Sequence, residues 1–206
     1  MIAYFSARIK SAIIKQTKFD HGCDKNLKII SAIDDLNKLL GKSCDINEIR
    51  ELAKLVSREM SGRLNRELIA SLKHVQISKK VPVGIISSGC WENIESGLAG
   101  YQFYPAYLAA NKFAIKANGQ VYFDFAIYTN KSFILKSWTR EYGFSPDSLL
   151  FIGDDQEDLD CFAMVGFPVV MPTACDQVKC YLRKMVKDIF VPNNIDELIN
   201  YLNERT

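Results

Sequence analysis

Leu149-Leu-Phe-Ile-Gly-Asp-Asp-Gln-Glu-Asp158 is the stretch on which the fold turns. Its first four residues are an apolar run of strand length with no polar alternation, the mark of a strand covered on both faces. Gly153 ends the run, and five acids then crowd into the seven residues from Asp154 to Asp160. Carboxylates at the start of a helix complement its dipole. At this density, however, like charges repel one another unless a cation sits among them. In an open parallel sheet, ligands bind beyond the carboxyl ends of the strands, which is where these acids fall.

The same texture continues on both sides. Downstream, Glu157 to Met164 reads as a helix, Phe167 to Met171 as a strand, Cys175 to Val186 as a helix and Asp188 to Val191 as a strand. A final helix is capped by Asn194 with Glu197. Upstream, Val81 to Ile86 is an apolar run with Pro82 near its start, where a strand tolerates proline. Trp91 to Leu98 reads as a helix, and residues 112 to 127 as a hairpin turning at Asn118-Gly119. Lys131 to Tyr142 is helical and stops at Gly143. Short apolar strands alternating with helices specify an α/β core around a parallel sheet.

Before Val81 the period is helical. Leu27, Ile30, Ile33, Leu36 and Leu40 form one stripe that ends at Gly41. Asp45 opens a capping box with Glu48, and Leu64 to Leu72 supplies a third stripe. The chain has 206 residues, 26 Lys plus Arg against 24 Asp plus Glu, and 48% hydrophobic residues. That near-balance of charge argues against a dedicated nucleic-acid binder, and no apolar run approaches the ~20 residues that span a bilayer. Arg8 and Lys10 interrupt the N-terminal apolar segment before a secretory core forms. Six cysteines without a C-x-x-C pair, beside two histidines, match no familiar zinc pattern. They read as reduced thiols of a cytoplasmic protein.

Three polar clusters close candidate strands or open helices: Ser87-Ser88-Gly89 after Ile85-Ile86, Lys131 after the hairpin, and Asp154, Asp155 and Asp158 after Ile152. A hydroxyl and backbone N–H groups bind oxyanion oxygens, a lysine balances charge, and hard carboxylate oxygens suit Mg²⁺. Taken singly, each has a plainer reading. Ser87 is a strand-end polar residue, Lys131 a solvated helix-start lysine like its neighbour Lys136, and the acids are helix-start carboxylates. His21, His74 and the Tyr101/Tyr104/Tyr107 series read as surface, cap or core residues.

The ordered set resembles the haloacid dehalogenase (HAD) superfamily, most closely its phosphoserine phosphatase-like branch. Val83-Gly-Ile-Ile-Ser-Ser-Gly-Cys90 looks like the second motif, Lys131 like the third-motif lysine, and Gly153-Asp-Asp-Gln-Glu-Asp158 like the fourth. The resemblance implies a Rossmannoid parallel-sheet core over residues 79–206 with an N-terminal helical cap over 11–78. It implies Ser87, Ser88, Gly89 and Lys131 as phosphate binders, and Asp154 and Asp158 as metal ligands with Asp155 as the alternative. It further implies Mg²⁺ as cofactor and a small phosphorylated metabolite as partner, with no nucleic acid and no membrane.

The first family motif, a strand ending in D-x-D, has no match here. Asp20, Asp24, Asp34, Asp35 and Asp45 are the aspartates ahead of Ser87, and none has that spacing. In the family the first aspartate attacks phosphorus and the second is the general acid/base. A degenerate first strand within residues 1–10 would fill its place in the sheet, and a helix over residues 3–15 is the rival reading. Two functions follow as expectations: a Mg²⁺-dependent phosphomonoester hydrolase without its usual nucleophile, or an inactive scaffold that binds a phosphorylated ligand or a protein partner.

Overall fold

A computed structural model describes residues 34–38, 40, 45–51, 55, 64–125, 127 and 131–206. The first core strand expected within residues 1–10 and its rival helix over 3–15 both lie outside the described residues, as do His21 and the first half of the stripe ending at Gly41. Along the rest run α1 (Arg66–Ser78), β1 (Gly84–Cys90), α2 (Trp91–Ala99), β2 (Tyr107–Ile115), β3 (Val121–Asp124), α3 (Lys131–Tyr142), β4 (Leu150–Gly153), α4 (Leu159–Phe162), β5 (Phe167–Val170), α5 (Asp176–Met185) and α6 (Ile195–Arg205).

The strand patterns explain the core. β4 and β5 are parallel, with Leu150 opposite Phe167 and Gly153 opposite Val170. Successive side chains of a strand point to opposite faces, and here both faces are apolar. Val170 and Phe151 join Phe162, Val178, Leu182 and Val186 on one side. Val169, Leu150 and Ile152 join Leu198, Leu202, Leu68 and Leu72, from α6 and α1, on the other. Val169 and Val170 are both fully buried, each contributing roughly 1.5–3 kcal/mol. The α/β architecture with a parallel sheet covered by helices is therefore the one expected.

Several boundaries differ from the expectation, each for a physical reason. The strand expected over 188–191 is reduced to one parallel bridge between Phe190 and Val169. Asp188 turns with φ 56 just before it, and Pro192 just after it has no N–H to extend a ladder. The helix expected from Glu157 starts as a tight turn, Gln156–Asp158, before α4. β1 runs on through Ser87-Ser88-Gly89 to Cys90, beside the nine-residue β2, and α2 follows with no loop between them. Among the described residues the strands form two sheets, β1-β2-β3 and β4-β5.

The chain divides into two units that interleave in sequence. The first comprises residues 1–62, 89–97 and 111–125, and the second 63–88, 98–110 and 126–206. In the first, β2 and β3 form the hairpin read at Asn118-Gly119, where Gly119 takes φ +82. Its Val121, Phe113 and Phe123 pack with Leu36, Leu40, Ile46 and Ile49 from helical residues on either side of Gly41. Asp45 caps the second of these helices through the Asn47 N–H at 2.9 Å. In the second unit lies α1, which the sequence reading grouped with the cap. Asn65 caps it by accepting from the Leu68 N–H at 2.8 Å, and Lys79 just beyond it donates to the Asn203 carbonyl of α6 at 2.6 Å. Among the described residues, no helix is long and apolar enough to cross a membrane.

Candidate functional site

The site grows from the end of β4. Gly153 is buried opposite Val170, and its carbonyl accepts from the Met171 N–H at 2.8 Å. The chain then leaves the sheet. Asp155 caps the turn that follows, accepting from the Gln156 N–H at 2.6 Å, and completes a capping box with Asp158. Asp158 folds back towards the strand end. Its Oδ2 accepts from the backbone N–H groups of Asp154 at 3.1 Å and Asp155 at 3.3 Å. Its Oδ1 accepts from Lys131 Nζ, the first residue of α3, at 2.6 Å. Asp158 is 1% exposed and the Lys131 side chain 14%.

Glycine at 153 is what admits this fold-back. A Cβ there would lie 2.5 Å from Asp158 Oδ2 and 2.8 Å from its Cγ, so any other residue would push the carboxylate out.

The electrostatics follow from the burial. Burial alone lowers the Lys131 pKa, but the hydrogen bond to Asp158 and the negative charges of Asp158, Asp154 and Glu157 outweigh it, so the net direction is upward. Lys131 therefore stays cationic. Asp154 is exposed at the surface, yet its carboxyl is pushed above the usual range. Partial desolvation is the main cause and the neighbouring Asp158 charge the next, with Lys131 opposing both. Asp154 is also the one of the three aspartates whose carboxylate accepts no hydrogen bond from another described residue.

Structure and sequence can now be matched residue by residue. Lys131, Asp154, Asp155 and Asp158 come together at the head of β4. Ser87 and Ser88 are half-buried on β1, in the same unit as that cluster, and Gly89 is the exposed first residue past the unit boundary. The reading from sequence missed that Lys131 and Asp158 bind each other, a pairing across 27 residues that no local pattern announces. It also missed Glu92. In the first unit, the Cys90 thiol donates to Glu92 Oε2 at 3.0 Å, and Glu92 Oε1 accepts from the Phe113 N–H of β2 at 3.3 Å. Burial, followed by the hydrogen bond to Glu92 and its charge, pushes the Cys90 thiol up to about 12. A cavity of about 250 Å³ in that unit is lined by Arg50, Trp91, Glu92, Glu95, Lys112 and Phe113. Among the described residues, no group of three His, Cys, Asp or Glu side chains gathers into a metal site.

The profile of the haloacid dehalogenase-like hydrolases matches residues 102–197, a span that contains Lys131, Asp154 and Asp158 and begins after Ser87. Among solved structures, the fold is similar to that of a cytosolic 5′-nucleotidase IIIB bound to cytidine. That match has 15% identity and a TM-score of 0.58, over 98% of this chain and 74% of the other. It is also similar to a HAD-family hydrolase, t0658, from Salmonella enterica serovar Typhi, at 19% identity and TM-score 0.56. There the match covers 92% of this chain and 57% of the other. A phosphoserine phosphatase in its apo form gives 15% identity and TM-score 0.50, over 86% and 88% of the two chains. No curated protein matches the sequence.

Proposed function

We propose that this chain, whose residues 102–197 match the haloacid dehalogenase-like hydrolases, binds the phosphate of a small phosphorylated metabolite, with hydrolysis by these 206 residues lost or severely weakened. The observation that carries the reading is the Lys131–Asp158 pair at 2.6 Å beside Asp154. An ammonium has three protons to donate. Asp158 takes one, which leaves Lys131 charged, oriented and able to donate to a phosphate oxygen. Ser87, the Ser88 and Gly89 N–H groups and Lys131 are the proposed phosphate donors.

Asp154 suits a hard cation. Its carboxylate serves no other described residue, and the negative charge of Asp158 beside it favours a cation there, with Lys131 opposing. Mg²⁺ commonly rests on one or two carboxylates, water and substrate phosphate, so Asp154 is the proposed ligand. Both oxygens of Asp158 are engaged by Lys131 and the two amides, so its proposed role is to position Lys131 and the turn. Bound there, Mg²⁺ would offset the negative charge shared by the acidic turn and a phosphate.

Hydrolysis is another matter. The family's chemistry needs an aspartate nucleophile and an acid/base partner, and no D-x-D precedes Ser87 in this sequence. Oxyanion binding needs only converging donors, so it survives their absence. The relatives named phosphoserine phosphatase and 5′-nucleotidase bear the names of small phosphomonoesters, which supports that ligand class.

Calorimetric titration with inorganic phosphate tests the reading. We expect a Kd of about 1 mM, or ~4 kcal/mol, with Lys131→Ala weakening binding far more than Lys136→Ala. Equal effects of the two, or no saturable binding, would refute it. Turnover of an aryl phosphate with Mg²⁺ that disappears in Asp154→Asn would instead establish the second reading, a Mg²⁺-dependent phosphomonoester hydrolase, which the intact Lys131–Asp158–Asp154 arrangement favours.

A further inference from the structure

We propose that Lys179, near the start of α5, is a positioning residue for the Asp154 carboxylate, acting through the backbone of the loop that leaves β5. The inference deepens the reading of Asp154 as a cation ligand and rests on it. Every group it involves belongs to the second unit.

The peptide unit that joins Gly153 to Asp154 is gripped on both sides. Its N–H, that of Asp154, donates to Asp158 Oδ2 at 3.1 Å, and its carbonyl accepts from the Met171 N–H at 2.8 Å. A planar peptide held at both polar groups has little freedom to rotate, so it sets where the Asp154 side chain is carried. Asp158, paired with Lys131, supplies one grip. Met171, one residue past β5, supplies the other. The chain turns there, with the Ala174 N–H donating back to the Met171 carbonyl at 3.0 Å. Lys179 ties this turn down, its Nζ donating to the Pro172 carbonyl at 2.6 Å. α5 is itself fixed to the core by Val178 and Leu182 and packs against the turn Gln156–Asp158. The second grip is thus anchored to a helix that the core holds.

For the helix alone, a lysine at this place is unfavourable. A helix dipole disfavours a cation near the N-terminus, and α5 otherwise obeys that rule, with Asp176 in its first turn and Arg183 and Lys184 in its last. Lys179 departs from the order, and the Pro172 carbonyl is what its ammonium reaches.

Electrostatics gives the test its sign. Deleting a positive charge near a cation site tightens cation binding, whereas loosening the ligand weakens it. The full chain is titrated with MgCl₂ by calorimetry. Lys179→Met keeps the apolar stem and should weaken Mg²⁺ affinity about fivefold, the scale of one hydrogen bond. Lys179→Arg, which still carries donors, should stay within about twofold of wild type, and Lys184→Met, an exposed cation of the same helix, should cause no weakening. Unchanged or tighter binding in Lys179→Met, or an equal loss in Lys179→Arg, would overturn the proposal. Amide hydrogen exchange in metal-free buffer supplies a second measurement. In Lys179→Met the Met171 N–H should exchange faster, while the Val170 N–H, which donates to the Phe190 carbonyl at 2.9 Å, keeps its rate. Equal acceleration of both would reveal general destabilisation and overturn the positioning role. Asp154→Asn separates the two levels of inference. If it leaves Mg²⁺ affinity unchanged, or if the wild type binds no Mg²⁺, Asp154 is misread and the proposal falls with it. If it abolishes Mg²⁺ binding while Lys179→Met does not weaken it, only the role of Lys179 fails.

Discussion

Replacing Asp158 by asparagine should cost more than any other isosteric change among the described residues. Asp158 offers two acceptor oxygens to three donors: Lys131 Nζ, and the N–H groups of Asp154 and Asp155. Asparagine keeps the shape but offers one oxygen and one amino group, so in either orientation a donor faces a donor. The substitution also strips Lys131 of its counter-charge. Breaking a buried pair by removing one partner costs about 3–5 kcal/mol. The Lys131 side chain retains 14% exposure and can relax partly towards water, which brings the expectation down to about 2–4 kcal/mol. With a urea m-value of about 2 kcal/mol per molar, the unfolding midpoint should fall by about 1–2 M. The pH dependence adds a check. The Lys131 pKa is raised above its ordinary 10.5, so its stabilising contribution is complete below that value and is lost as pH rises through the higher folded value. The gap between wild type and Asp158→Asn should accordingly narrow in strong alkali. A loss below about 1 kcal/mol at pH 7 would show that the pair is an ordinary exposed contact and would refute the geometry.

Gly153→Ala should reproduce part of this defect, because its Cβ would lie 2.5 Å from Asp158 Oδ2; a loss of about 2–3 kcal/mol by urea unfolding, with weakened phosphate binding, is expected. Gly84→Ala places a Cβ 2.8 Å from Trp138 Cζ3, three residues before Ser87, the first of the proposed phosphate donors; it should lower the melting temperature while changing phosphate affinity less than Lys131→Ala in calorimetry. Asp154→Asn should raise the melting temperature at pH 7 in metal-free buffer. The raised carboxyl of Asp154 destabilises the folded state once ionised, so this gain should vanish as pH falls below the ordinary carboxylate range. Added Mg²⁺ should stabilise the wild type and not the variant.

How much of this was legible beforehand depends on the range over which each determinant acts. Val169-Val170 and Leu150-Phe-Ile152 were readable as buried strands because an apolar run covered on both faces is a local property, and the two hydrophobic clusters flanking β5 are its direct consequence. The hairpin was readable for the same reason, since Asn118-Gly119 satisfies a positive φ that few other pairs do. Pro192 shows the converse. The apolar content of 188–191 promised a full strand, and one missing N–H beside a turned Asp188 cut it to a single bridge.

The candidate site divides along the same line. The acid cluster after β4 was legible because the strand end, the glycine and the carboxylates are consecutive. What each carboxylate does was not, because that depends on which donor reaches it from elsewhere. Lys131 arrives from a helix 27 residues upstream and selects Asp158. The backbone of the turn then takes the other oxygen, and Asp155 is spent on the cap. Asp154 is left, among the described residues, as the carboxylate that accepts no hydrogen bond from a neighbour, and the proposal that it would hold a cation rests on that rather than on its position in the motif. The same logic accounts for Glu92, whose two oxygens are claimed by a thiol two residues back and an amide from β2. In a segment this rich in acids, the carboxylate left to propose for a ligand is the one whose oxygens no described donor has claimed. That is why the proposed division of roles between Asp154 and Asp158 could be drawn only once the hydrogen bonds were assigned.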